Sequence, residues 1–125
     1  MQQQVSQREL ENFTKRYSLF GDIDKEVETI YTKIKEKNIE IKTPKDLERV
    51  DRFFLPTIKK ILKMVDNSKQ FDTYIKDEMK NTIVINIFVR FCESYSLDPI
   101  TSIPFFGKEA YKMFTNAQKN MDLRG

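Results

Sequence analysis

Along this chain apolar residues recur at steps of three and four, the spacing that keeps side chains on one face of a helix. The first such stripe is Leu10, Phe13 and Tyr17, with Phe20 just beyond. Ahead of it Ser6 and Glu9 hold the two positions of a capping box, and Val5 and Leu10 those of a hydrophobic staple. A helix is therefore predicted to start at Ser6 and run from about residue 7 to 20, with Gly21 placed to end it in a left-handed conformation. A second stripe, Ile23, Val27, Ile30 and Ile34, can take Asp22 or Asp24 as its cap. It predicts a helix from about 23 to 38 whose other face is nearly all charge, stopped by Asn38. Residues 39 to 42 alternate apolar and charged side chains, as a short extended linker would.

Thr43-Pro44-Lys45-Asp46 is a restart signal: Thr43 can cap free amides, proline suits the first helical position, and Asp46 favours the positive helix end. The stripe of Leu47, Val50 and Phe54 then passes Pro56 in phase and continues as Ile58, Ile61, Leu62 and Val65. One kinked helix or two abutting ones would satisfy it. Because an internal proline removes a hydrogen bond and presses on the preceding turn, a break is predicted near Leu55.

Asp66-Asn67-Ser68 reads as a turn, and Asp72 can cap a long element carrying Tyr74, Ile75 and Met79 into the most apolar run of the chain, Ile83 to Phe91. The β-branched residues of that run suit a buried strand, yet Met79, Ile83, Ile87, Phe91 and Tyr95 keep steps of four, which favours helix. Being apolar almost all round, residues 73 to 95 are expected to form the enclosed, central element. Ser96-Leu97-Asp98-Pro99 stops it, Pro104 restricts 98 to 106 to a short helical turn, and Ala110, Phe114, Ala117 and Met121 mark a last helix from Gly107 to near Asn120. The expected fold is all-α, one compact bundle of roughly five to seven helices over residues 1–125, with 1–5 and 122–125 frayed. No internal repeat appears.

Composition agrees with a packed core under a charged surface: 39% of residues are hydrophobic and 33% charged. The 22 basic and 19 acidic residues leave a formal charge of +3, spread without a basic half or tail, so the usual basic signature of a nucleic-acid-binding domain is weak. A lone cysteine, Cys92, excludes an intramolecular disulfide and fits a reducing compartment. The N-terminus lacks the pattern of a signal peptide and no apolar run approaches membrane-spanning length, so the expected address is cytoplasmic, without membrane contact.

Leu47, Val50, the run Phe53-Phe54-Leu55-Pro56-Thr57, Lys60 and Leu62 match a pattern of two aromatics, Leu-Pro-Thr and an apolar helix. Through them, residues 30–66 resemble part of the bacterial 5-bromo-4-chloroindolyl-phosphate-hydrolysis protein family. The resemblance covers less than a third of the chain and does not carry past Ser68. It implies a helical fold with no defined active site.

The sequence holds no histidine, which removes Ser-His-Asp and Cys-His catalysis and the common zinc sites. With glycine only at 21, 107 and 125, no familiar phosphate-cradling or dinucleotide loop can be built, and no cofactor is expected. Asp22, Asp24, Glu26 and Glu28 alternate as calcium-loop ligands do, but Val27 stands where the loop needs glycine, and a solvated helix start is favoured. Asp72, Asp77 and Glu78 offer paired carboxylates, better read as a cap and surface charge. Cys92 has only Arg90 nearby to stabilise a thiolate and reads as core. A non-enzymatic role follows.

Two features point to binding. Phe53-Phe54 and Phe105-Phe106 are adjacent pairs whose members cannot both point the same way, so one of each is a candidate partner anchor, although a core filled from several directions is the favoured reading. Arg49, Arg52, Lys59, Lys60 and Lys63 form the best basic cluster, either a phosphate-facing surface or the soluble flank of an apolar stripe. The expected function is a non-catalytic protein-protein interaction module, a small subunit, adaptor or inhibitor of a larger complex. The alternative is a nucleic-acid-associated accessory factor using the basic cluster.

Overall fold

The computed structural model describes the backbone of residues 7–124 and the side chains of residues 18–121. It is all-α: five helices, two 3-10 turns, and no strand among the described residues. α1 spans Gln7–Glu36, α2 Leu47–Asn67, α3 Thr73–Ser94, α4 Pro99–Ser102 and α5 Lys108–Arg124, with 3-10 turns at Pro44–Asp46 and Ile103–Phe106. The Ser6 capping box, its staple and the fraying expected of residues 1–5 lie outside the described residues.

Ion pairs and ring contacts fix the helix directions. Lys60 on α2 meets Glu26 on α1 at 2.8 Å, and Lys33 Nζ stands 6.0 Å from the Phe53 ring centre, so α1 and α2 run antiparallel. Phe54 packs on Phe88 and Phe91, while Lys80 reaches Asp66 at 2.8 Å, which makes α3 antiparallel to α2. Phe88 against Phe114 and Asn81 against Asn120 do the same for α5 on α3. Four long helices thus alternate in direction. The short α4 and second 3-10 turn insert Ile103 and Phe106 into one end of the core, and Phe54 stacks on Phe106 with ring centres 4.4 Å apart.

Three expectations need correction. Gly21 does not end a helix, and the two helices expected around it are one, α1. The glycine is exposed, and a mid-helix glycine costs only about 1 kcal/mol against alanine, less than the packing of Ile23, Ile30 and Ile34 recovers. Nor does α2 break at Leu55. Pro56 lies on its exposed face, where water can reach the carbonyl group left without a partner, and Phe54, Ile58, Ile61 and Val65 keep the opposite face buried without interruption. The hydroxyl of Thr57 donates to the Phe53 carbonyl at 2.7 Å beside the proline.

The third correction concerns the centre. Neither α3 nor α2 is enclosed: α2 buries the longest stripe, with Leu47, Val50, Phe54, Ile58, Ile61 and Val65 all fully buried, while its opposite face is exposed. α3 buries Val84, Ile87, Phe88, Phe91 and Cys92 but leaves Ile83, Ile85 and Val89 only half-buried. Its all-round apolarity asks for neighbours on every side, and this bundle has too few helices to supply them.

Helix ends follow the residues that signalled them. Asn38 and Ser96 adopt left-handed backbone, with φ of 51° and 58°, and close α1 and α3. Ile39 N–H returns to the Ile34 carbonyl at 3.0 Å, and Leu97 N–H to that of Cys92 at 2.9 Å. Asp72 accepts the Ile75 amide at 2.8 Å, and Asp98 that of Thr101 at 3.3 Å. α5 runs four residues beyond the expected Asn120, to Arg124.

At the α1–α2 corner Thr43 is the N-cap and forms a capping box with Asp46, whose Oδ2 accepts the amides of Lys42 at 2.8 Å and Thr43 at 2.9 Å. These bonds, with Arg49 nearby, hold its pKa below the ordinary aspartate value. A depressed carboxylate pKa contributes stability that is present above the unfolded value and is lost as pH falls through the folded one. Asp46→Asn should therefore lower the melting temperature at neutral pH. The gap to wild type should close as pH drops below the usual aspartate range, and thermal melts followed by circular dichroism across that range check it.

Candidate functional site

Most of the aromatic anchors suggested by sequence are core residues. Phe53, Phe54 and Phe106 are buried at 8%, 0% and 1% exposure, and only Phe105, at 44%, faces solvent. Neighbours in the first pair do point apart, but both directions are occupied: Phe54 enters the ring cluster with Phe88, Phe91 and Phe106, and Phe53 faces the α1–α2 seam under Lys33.

The candidate nucleophile is equally enclosed. Cys92 is fully buried, and burial, reinforced by Asp98 and Glu93, pushes its thiol up to about 11, so the thiolate is disfavoured. Asp72 is a cap, Asp77 pairs with Lys80 at 3.6 Å, and Glu26 is held by Lys60. Among the described residues no group of three or more His, Cys, Asp or Glu side chains is placed to hold a metal ion.

Two surfaces stand out, one on each flank of the buried stripe of α1. On the first, α1 and α3 meet where Tyr31 packs on Phe91 and Tyr95, with ring centres 5.6 and 6.4 Å apart, and Tyr31 Oη lies 3.3 Å from Ser94 Oγ. Beyond that contact the two helices leave a hollow of about 440 Å³. Ile23 and Ile87 form its floor; Phe20, Val27 and Ile83 form its sides, with Phe20 49% exposed. Asp24 on α1 and Arg90 on α3 stand at its rim.

The second flank carries the basic cluster. From Arg49 to Lys63 the exposed side chains of α2 are Arg49, Arg52, Pro56, Lys59, Lys60 and Lys63, all cations but one and none acidic. The spacing puts them on one face because the buried stripe takes the other. Lys60 pairs with Glu26, Lys59 with Glu109, and Arg49 approaches Asp46 at 3.8 Å; among the described residues no ion pair engages Arg52 or Lys63. Lys33 of α1 and Lys37 of the turn after it line two shallow hollows of about 390 and 340 Å³ that share Arg52 and Phe53.

On the far side of α2, Asp51 abuts Gly107 and turns Oδ1 to a buried spot where it has no partner among the described residues. Burial first, and Glu109 second, raise its pKa, with Lys59 opposing. The groove residues Phe20, Tyr31, Ile83 and Arg90, and the cations Lys33 and Lys37, were not singled out by sequence as a site. The signal that pointed to them was an α3 apolar on every side in a chain with few helices to cover it, and a second helix whose exposed face is charged.

Comparison of the chain with protein-family models, curated proteins and solved structures finds no match in any of the three.

Proposed function

We propose that this protein is a non-catalytic binding module, a small subunit or adaptor that receives an amphipathic helix of a partner protein between α1 and α3. The observation that carries the reading is the apolar hollow there, with its half-exposed Phe20 and its unfilled side of α3. From Phe20 to Tyr31 the α1 side of the groove extends about 16 Å, or about three helical turns. A guest helix of that length, with apolar residues at steps of three and four, would lie against Phe20, Val27 and Ile83 and complete the enclosure of α3. Asp24 and Arg90 stand on opposite walls of the groove and would favour a guest carrying a cation on one edge and a carboxylate on the other. The resemblance of residues 30–66 to the bacterial family named above belongs to the same proposal: it spans the end of α1, the turn after it and nearly all of α2, and implies no defined active site. No helix among the described residues is long and apolar enough to cross a membrane.

The test uses Phe20→Asp, a change at an exposed position that leaves the core intact. Affinity capture with wild-type protein should retain a near-stoichiometric protein through high salt and nuclease. The variant should lose it, with a drop in affinity of at least tenfold. A photo-crosslinker at position 20 should map to a helical segment of that protein with apolar residues at helical spacing. Capture unaffected by Phe20→Asp would sink the reading, and a crosslink from position 20 to a second copy of this chain would replace the guest helix with self-association.

A further inference from the structure

We infer that the opposite flank of α1, together with the exposed face of α2, binds the phosphodiester backbone of nucleic acid independently of base sequence. The five cations of α2 occupy a strip about 21 Å long at 1.5 Å per residue, uninterrupted by an acidic exposed side chain between Arg49 and Lys63. Lys33 and Lys37 widen it on the α1 side. A regular row of phosphates is the polyanion that such a strip matches, because each cation can meet a separate charge and release condensed counterions.

The intramolecular ion pairs do not close the surface. Lys59 and Glu109 are 53% and 64% exposed, and an exposed pair of this kind is worth at most about 1 kcal/mol, so a phosphate can exchange for that carboxylate, while Lys60, 63% exposed beside the half-buried Glu26, keeps ammonium donors turned to solvent. Arg52 sits where the two hollows meet, beside the Phe53 ring that also carries Lys33, and its planar guanidinium can hold a phosphate with two parallel hydrogen bonds. An acidic bilayer is the poorer match. Pro56 is the only uncharged exposed side chain of this stretch of α2, so nothing large and apolar is available to enter a lipid interface. The bases would be left unread by α2, since from Arg49 to Lys63 it offers no exposed side chain that both donates and accepts and no exposed aromatic ring on which to stack.

The experiment is fluorescence anisotropy of the full chain with labelled duplexes of two unrelated sequences, over a range of salt. Both duplexes should bind equally, with a slope of log K against log salt of about −4.5 to −6.3 for five to seven contacts. The double variant Arg52→Gln, Lys63→Gln should make the slope shallower by about two and weaken binding of both duplexes alike. Lys33→Gln with Lys37→Gln supplies a second pair, at the end of α1 and in the turn after it, and unchanged melting curves show that either pair leaves the fold alone. Phe20→Asp should have no effect, which separates this surface from the groove. The inference is overturned by absence of binding at low salt, by a slope that neither pair alters, or by polyglutamate or phosphatidylserine vesicles competing as well as DNA does.

Discussion

Phe54→Ala should lower the free energy of unfolding by about 3 to 5 kcal/mol, the usual cost of removing a buried ring and leaving a cavity. Its ring is fully buried and meets Phe88, Phe91 and Phe106 at centre distances of 5.0, 5.0 and 4.4 Å. Those partners come from α3 and the second 3-10 turn, so one truncation loosens contacts between three parts of the chain at once. A domain of this size is stable by only about 5 to 15 kcal/mol, so the variant should be close to the limit of folding. Denaturant unfolding of Phe54→Ala beside Phe105→Ala checks it: the exposed neighbour should change stability by less than about 0.5 kcal/mol. Equal losses in the two variants would contradict the assignment of inside and outside.

The second large effect should come from Gly107→Ala. This residue links the second 3-10 turn to α5, and its φ of +145° lies in a region that only glycine occupies comfortably. A side chain there is also crowded, because its Cβ would stand 3.1 Å from Asp51 Oδ2. Backbone strain alone costs about 1 to 3 kcal/mol, and the displaced carboxylate belongs to a residue already short of a partner. The expected result is a lower denaturation midpoint with an unchanged dependence on denaturant, since the folded state is strained while the surface exposed on unfolding stays the same. An unchanged midpoint would mean that the α4–α5 corner can rebuild itself around a side chain.

How much of this was legible in the sequence depends on whether the controlling physics is local. Asp72 and Asp98 each begin a helix because a short carboxylate can reach an amide three residues on, and that relation is written in adjacent residues. The apolar stripes of α1, α2 and α5 are local in the same sense. Gly21 and Pro56 misled because their local cost is real but small beside the tertiary packing of the opposite face, which no window of sequence contains. The incomplete enclosure of α3 has the same origin: hydrophobicity says how much cover a helix wants, while the number of neighbours says how much it receives. For the candidate site, the alignment of Arg49, Arg52, Lys59, Lys60 and Lys63 was legible as a cluster on one helix. The contribution of Lys33 and Lys37 was not, because it depends on which flank of α1 lies against α2. Phe53 shows the same limit, since an adjacent aromatic pair needs two directions to be filled, and only the packed bundle shows that for this pair both are, as the favoured core reading had it.

Cys92 gives the protein a built-in clock. It is the chain's one thiol, fully buried against the α3–α4 corner and held in its unreactive, protonated form. A thiol reagent can reach it only during moments when the helices around it part, so the rate of labelling under native conditions counts those openings. No other thiol competes for the signal. The fold therefore carries its own label at a place where exposure means loss of the core, and brief excursions from the native state can be timed without adding a probe that would disturb it.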